Sequence, residues 1–170
     1  MSNTAQTRVA FDEKGKRTTY EEIEVGADLG TMEWKITEED IEKQCNLDDE
    51  YHFWYSVGSP FGGRIAPPQL QYRPPRWLIS RTYNIRGVFY KWEMENIRPL
   101  KAGMTVTLRG RIASKWIKND REFVKYETEG YDENGELLFR TGRVHALDVL
   151  KATAPREGAG VDSGIKKEKI

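Results

Sequence analysis

The chain contains two histidines, which are its best candidates for acid–base chemistry because histidine titrates near neutral pH. His52 follows Asp48 by four residues, so Asp48 is the nearest acid partner along the chain. Such a pair could act as a general base. The alternative is that His52 is a loop histidine hydrogen-bonded to a neighbour. His145 alternates with apolar residues, which predicts a strand residue that faces the surface or has a hydrogen-bond partner.

Aromatic side chains are concentrated around His52. The cluster comprises Tyr51, Phe53, Trp54 and Tyr55. These rings either pack the loop onto the core or line an apolar pocket or a dimer seam, where rigid aromatics give a large contact area. Tyr72 and Trp77 allow the same two interpretations, with the core favoured. Cys45 is predicted to be a small buried side chain on the inner face of a helix rather than a nucleophile.

Four arginines lie on or after a predicted second helix. They are Arg73, Arg76, Arg81 and Arg86. Arg73 and Arg76 are three residues apart and can share a helix face. The arginines form either a solvated face paired with acids or a cationic site for phosphates, which guanidinium groups bind with two parallel hydrogen bonds.

Composition excludes several classes of protein. Among 170 residues, 27 Lys and Arg balance 27 Asp and Glu, which argues against a nucleic-acid binder that relies on overall basicity. One cysteine cannot form an intrachain disulfide or a cysteine-based zinc site, and no metal site is expected. No apolar stretch approaches the ~18 residues of a membrane span, and Met1 to Arg17 does not read as a secretory signal. We therefore expect a cytoplasmic protein.

Composition divides the chain into a folded domain at 18–151, an N-terminal extension at 1–17 and a mobile tail at 152–170. The extension is polar, and the tail has no aromatic residue, four Gly and Ser spacers and a Lys-rich end, so it cannot bury enough surface to offset its ordering entropy. Thr37 is a predicted N-cap, and the three acids that follow it favour a helix N-terminus, with the helix ending near Asn46. Residues 47–68 are rich in glycine and proline, which predicts a long ordered loop of the kind that often carries function.

A second helix is predicted over 69–82, with a break at Pro74 and Pro75. A short strand at 33–36 precedes the first helix. The second half of the chain is strand-rich, with candidate strands at 86–97, 104–118, 122–132 and 136–149. Turn signals at 119–120 and 132–135 separate the last three strands. The strands alternate polar and apolar residues, so one face of the sheet is covered and the other is partly wet. The fold class is therefore α+β, an antiparallel sheet wrapped around a long helix.

Three stretches, taken in order, resemble the MaoC-like hydratase/dehydratase family, whose fold is the hot-dog fold. They are Phe61-Gly62-Gly63-Arg64-Ile65-Ala66-Pro67-Pro68, the segment from Trp92 to Val106 with its Arg98-Pro99 and Gly103, and the hairpin from Tyr131 to Leu138. Together they cover roughly residues 20–150. The resemblance implies the addition or removal of water at the α,β-double bond of an acyl thioester in fatty acid metabolism.

In that family a catalytic Asp and His lie in the loop after the first helix, and a backbone N–H at the start of the central helix holds the thioester oxygen. Counting back from Phe61 without gaps places these two positions on Cys45 and Glu50, so a catalytic pair here would have to be relocated to Asp48 and His52. Pro67 and Pro68 have no N–H. The oxyanion donor would therefore be Gln69 or Leu70.

The resemblance implies coenzyme A or phosphopantetheine as part of the substrate, with no separate cofactor. The implied substrate-binding residues are Tyr51, Trp54, Tyr55, Gln69, Tyr72, Arg73 and Arg76. The leading hypothesis is a hydratase/dehydratase subunit that either carries the relocated pair or shapes the acyl pocket for a catalytic partner, as a homodimer or in a hetero-oligomer with another hot-dog subunit. The alternatives are a non-enzymatic acyl-thioester binding protein and a thioesterase, although residues 69–82 contain no Asp or Glu that a thioesterase could use.

Overall fold

A computed structural model describes residues 16–147, which form five strands and a few short helical segments. In chain order these are β1 (Asp28–Lys35), α1 (Glu38–Asp48), α2 (Phe53–Ser56), a 3-10 helix (Pro68–Tyr72), α3 (Pro74–Ser80), β2 (Gly87–Asn96), β3 (Thr105–Lys118), β4 (Arg121–Tyr131) and β5 (Leu137–Leu147). Apart from Lys16 and Arg17, the predicted N-terminal extension and the C-terminal tail lie outside the described residues. No helix within 16–147 is long and apolar enough to cross a membrane.

The strands form one antiparallel sheet in the order β1-β3-β4-β5-β2. The two predicted turns are confirmed. Asn119 and Asp120 both adopt positive φ, 52° and 57°, and join β3 to β4. Gly135 adopts a φ of 81° in the turn from β4 to β5, which glycine does without steric cost. The strands β2 to β5 lie within two residues of their predicted bounds, whereas β1 begins five residues earlier than the strand expected from 33.

Helix α1 begins where its cap predicts. Thr37 accepts a hydrogen bond from the Asp40 N–H at its hydroxyl, 3.1 Å, and the Asp40 carboxylate accepts from the Thr37 N–H at 3.1 Å. This reciprocal pair satisfies two helix-end donors. Ile41 and Cys45 are buried on one face of the helix, as their spacing predicted, and Cys45 is 5% exposed. The helix runs to Asp48, two residues beyond the expected end.

The predicted second helix is broken at the prolines, as expected, but it is shorter than the long central helix that the sequence suggested. A 3-10 turn at Pro68–Tyr72 is followed by α3, whose first two residues are Pro74 and Pro75. Proline is tolerated there because the first helical N–H groups have no partner inside a helix. Within α3, Leu78 and Ile79 are fully buried against the sheet.

The two faces of the sheet differ, as predicted. The inner face carries Val106, Leu108 and Ile112, all fully buried, and α3 comes so close that a Cβ on Gly110 would lie 2.8 Å from Leu78 Cδ2. The outer face carries charged pairs that join different strands. They include Lys125–Glu93 at 2.8 Å, Arg111–Glu127 at 3.0 Å and Arg140–Glu129 at 3.0 Å. Solvated pairs of this kind contribute little to stability, so the inner face holds the fold together.

Candidate functional site

The loop after α1 holds Asp48 and His52, but in this conformation each group has a different partner. The Asp48 carboxylate accepts a hydrogen bond from Gln44 Nε2 at 2.7 Å. His52 caps α2, and its Nδ1 accepts from the Trp54 N–H at 3.2 Å. Among residues 16–147 no hydrogen bond joins the two side chains. With Nδ1 accepting this bond, a neutral imidazole carries its proton on Nε2, which assigns the tautomer of His52 in this conformation.

The aromatic cluster is divided between the core and the surface. Tyr55 is half-buried and packs on the main core. Tyr51 and Phe53 are 60% and 61% exposed. The ring centre of Trp54 lies 5.5 Å from that of His52 and 5.9 Å from that of Phe61, with edge-to-face geometry in both pairs. These rings form an aromatic patch on the surface of the loop.

The glycine-rich turn that follows directs the chain towards the inner face of the sheet. Gly62 and Gly63 adopt φ of 82° and 85°, which side-chain-bearing residues rarely do. The Ser59 N–H donates to the Gly63 carbonyl at 2.8 Å and closes the turn. The Ala66 N–H then donates to the Leu100 carbonyl at 2.7 Å, which fixes the entry to the helical segment.

One backbone donor remains available at the start of this segment. Pro67 and Pro68 have none, and the Leu70 N–H donates to the Pro67 carbonyl at 3.0 Å. The Gln69 N–H has no hydrogen-bond acceptor among residues 16–147, and Gln69 is exposed. Of the two predicted oxyanion donors, Gln69 is therefore the one left open.

The four arginines have different environments. Arg73 is exposed between the 3-10 helix and α3. Arg76 is half-buried and its Nη2 donates to the Ile85 carbonyl, while Arg81 Nη1 donates to the Thr31 carbonyl of β1 at 2.6 Å. Arg86 is half-buried. Arg73 and Arg76 therefore do not form one common solvated face, because Arg76 turns towards the sheet.

A polar group that the sequence analysis did not single out lies beneath the helical segment. Arg143 of β5 is 2% exposed, and its Nη1 donates to the backbone carbonyl of Tyr72. The guanidinium carbon lies 4.4 Å from the centre of the Tyr72 ring and 4.6 Å from that of Phe89. These distances indicate cation–π contacts with both rings.

Tyr126 and His145 continue this buried polar group along the inner face. Tyr126 is the cross-strand partner of Arg143, and its ring stacks on that of His145 with centres 5.7 Å apart and planes at 15°. Burial raises the pKa of Tyr126 to about 12. Burial, and then the charges of Arg76 and Arg143, lower the pKa of His145 to about 3, so His145 is neutral at physiological pH.

The expectation that His145 faces the surface or is satisfied is wrong. It is 5% exposed, and its Nδ1 has no hydrogen-bond partner in the part of the chain that the structure describes. The alternation misled because the apolar neighbours Val144 and Ala146 face outward, where they pack with Phe123 and Trp116 in a second small core.

Gln71 is a further buried polar residue that sequence reasoning missed. It is fully buried, its Nε2 donates to Asn96 Oδ1 at 2.5 Å, and its Oε1 has no partner within residues 16–147. Tyr126 and Arg143 were missed because only the β4–β5 register brings them together. Within the same range no cluster of three His, Cys, Asp or Glu side chains could hold a metal.

The fold is found among solved structures. The (R)-hydratase PhaJ1 from Pseudomonas aeruginosa matches with a TM-score of 0.62 and 19% identity over 75% of this chain and 84% of that one. The HadBC (3R-hydroxyacyl-ACP dehydratase) complex from Mycobacterium tuberculosis matches at 0.64 with 14% identity over 71% and 95%. A MaoC-like dehydratase from Rhodospirillum rubrum matches at 0.57 with 17% identity over 75% and 95%.

These matches show that the chain has a hot-dog fold, which confirms the predicted fold class. Its structural neighbours include MaoC-like dehydratases and (R)-hydratases, the group that the sequence resembles. At the level of sequence, no protein-family profile and no curated protein matches.

Proposed function

We propose that this protein is a hot-dog subunit that binds an acyl thioester for a hydratase/dehydratase reaction. The observation that carries the proposal is the open Gln69 N–H at the entry of the helical segment. In hydration, water adds a hydroxyl to the β-carbon and a proton to the α-carbon, and negative charge develops on the thioester oxygen. A donor fixed at that oxygen stabilises this charge without reorganising.

The state of Asp48 and His52 supports the role of a pocket-shaping partner over that of a self-sufficient enzyme. A general base must present an unprotonated nitrogen or oxygen to the water. Here His52 Nδ1 accepts from the Trp54 N–H, the Asp48 carboxylate accepts from Gln44, and no hydrogen bond within residues 16–147 joins the two side chains, so they do not form an Asp–His pair in this conformation. The base is then supplied by a second chain. HadBC, a structural neighbour, is itself a complex of two subunits, which is consistent with this arrangement.

Edge strand β2 is suited to meet such a second chain. It lies at one end of the sheet, next to β5 only, and presents Val88 and Tyr90 at 67% and 61% exposure. An open edge with exposed apolar side chains is a ready template for pairing. Two sheets can therefore join side by side through β2.

Hydration of crotonyl-CoA tests the proposal directly. We expect negligible turnover by the purified chain alone and turnover when a hot-dog protein encoded beside it is added. Activity of the chain alone that is lost in His52→Ala and in Asp48→Asn would instead establish the relocated pair. Activity of the chain alone that survives both substitutions would exclude that pair.

The second candidate is a binding protein of the same fold without catalysis. The open Gln69 N–H favours it equally, because holding a thioester carbonyl requires no base. Calorimetry with butyryl-CoA separates the two. Binding without turnover, in the presence of every candidate partner, would assign the non-enzymatic role, and the absence of binding would reject both candidates.

A further inference from the structure

Several buried polar atoms without partners lie on the inner face of the sheet and in the helical segment that covers it. Within residues 16–147 they include Arg143 Nε, the Tyr126 hydroxyl, His145 Nδ1 and Gln71 Oε1. All four residues are at least nine-tenths buried. A buried polar group without a hydrogen bond opposes folding, so several of them within one region of the inner face require an explanation.

The charge of this group is as unusual as its hydrogen bonding. The polar groups that face Arg143 are the Tyr72 carbonyl, Tyr126, His145 and a second guanidinium, that of Arg76. No carboxylate among residues 16–147 contacts Arg143. A buried cation is normally paired, because its desolvation otherwise opposes folding. The site therefore carries positive potential in a space from which water is largely excluded.

The orientation of Arg143 leaves one edge of its guanidinium open. Its only hydrogen bond to the described residues is from Nη1 to the Tyr72 carbonyl. The Nε edge is unused, and its fork geometry matches the two oxygens of a planar carboxylate. Tyr126 is the cross-strand partner of Arg143, the charge of Arg143 acts on its hydroxyl, and that hydroxyl can donate a further hydrogen bond because it has no partner among residues 16–147. Tyr72 and Phe89 contact the guanidinium from one side, with their ring centres 5.4 Å apart, and neither ring is a hydrogen-bond acceptor for Nε.

We propose that Arg143 and Tyr126 form a buried carboxylate-binding subsite, and that the acyl group this protein takes ends in a carboxylate. The claim about the acyl group rests on the proposed function, because the proposed function places the thioester carbonyl at Gln69. The claim that Arg143 and Tyr126 bind a carboxylate does not rest on it. Tyr72, 38% exposed, lies on the same helical segment as Gln69 and covers Arg143, so the ligand passes beside Tyr72 to reach the cation.

Matched acyl thioesters test the substrate class. Succinyl-CoA and butyryl-CoA differ by a carboxylate in place of a methyl group, as do glutaryl-CoA and pentanoyl-CoA. By calorimetry we expect the carboxylate member of at least one pair to bind tenfold or more tightly, and Arg143→Met to abolish that preference. Equal affinities within both pairs would overturn the proposal.

Tyr126→Phe provides the variant that keeps the test valid if Arg143→Met fails to fold. The hydroxyl has no hydrogen-bond partner among residues 16–147, so a purely structural role predicts no loss of stability and no change in ligand preference when it is removed. The subsite predicts a melting temperature that does not fall, because an unpaired buried hydroxyl opposes folding, together with a preference for the carboxylate ligand reduced about fivefold or more. An unchanged preference in Tyr126→Phe and in Arg143→Met would contradict the subsite.

Free succinate separates failure of this inference from failure of the proposed function. Binding of succinate that depends on Arg143, without binding of any thioester, would keep the subsite and reject the thioester function. Binding of both thioesters of each pair without preference would keep the function and reject the subsite. Inorganic phosphate that binds at the same site more tightly than succinate would also reject a carboxylate site.

Discussion

Arg143 contacts Tyr72 twice, through a hydrogen bond from Nη1 to the backbone carbonyl and through a guanidinium carbon 4.4 Å from the ring centre. One buried side chain of β5 thus fixes both the backbone and the side chain of the helical segment above it. The contact links the sheet to the segment whose Gln69 N–H is open. A ligand that engages Arg143 is therefore bound next to the structural element that would hold its thioester.

The stability contribution of Arg143 is expected to come from its packing and not from its charge. In the free protein, Arg143→Met should change the free energy of unfolding by less than about 1 kcal/mol, because the lost hydrogen bond is offset by the removed cost of burying a cation. Arg143→Ala should cost about 3 kcal/mol, since it leaves a cavity. Urea denaturation measures both. Equal losses in the two variants would contradict this account.

His145 should make stability depend on pH. Its pKa is about 3 in the folded protein and 6.5 in the unfolded chain, so the unfolded chain binds more protons between these values. The contribution is fully present above pH 6.5 and is lost as the pH falls towards 3. Between pH 6 and pH 5, wild type should lose about 1 kcal/mol more than His145→Gln. Denaturant titrations at both pH values test this, and parallel losses would show that His145 is not buried neutral.

Gly130 tests the close packing of the inner face. It pairs with Phe139 across β4 and β5, and a Cβ at this position would lie 2.6 Å from the Phe139 Cζ atom. Because Phe139 is fully buried, it cannot move aside freely, and Gly130→Ala should cost about 2 kcal/mol. Gly58→Ala is the matched control, since nothing lies within 4 Å of its Cβ. Comparable stability of the two variants would refute the packing.

The cap of α1 should be measurable in the same assay. Thr37→Ala removes the acceptor for the Asp40 N–H and should lower the free energy of unfolding by about 1 kcal/mol. Thr37→Ser keeps the hydroxyl and should retain most of that free energy. If serine and alanine were equally destabilising, the hydroxyl would not be the source of the effect.

The strands and their turns could be predicted because their signals are local. Asn119-Asp120 and the Asp132–Gly135 turn set the hairpins, and Thr37 with Asp40 sets the start of α1. The length of the central helix could not be predicted in the same way. The sequence shows that prolines interrupt the helix, but it does not show that the part before Pro74 forms a 3-10 helix instead of an α-helix.

The buried polar site was not predicted, and the reason is physical. In β5, residues at alternating positions face opposite sides of the sheet, and both sides carry apolar residues near its end. His145 is buried because it lies on the face of the sheet that α3 covers. Tertiary packing decides which face is covered, and the sequence pattern of β5 does not show it. Arg143 and Tyr126 become neighbours only through the register of β4 and β5.

The prolines that frame the helical segment have a spectroscopic consequence. Pro67, Pro68, Pro74 and Pro75 carry no amide proton. In a proton–nitrogen correlation spectrum, the segment between them is therefore reported only by the run from Gln69 to Arg73. A titration with any ligand can be followed through this small and isolated set of signals. The Gln69 resonance, whose proton has no acceptor within residues 16–147, should shift most when a carbonyl oxygen arrives.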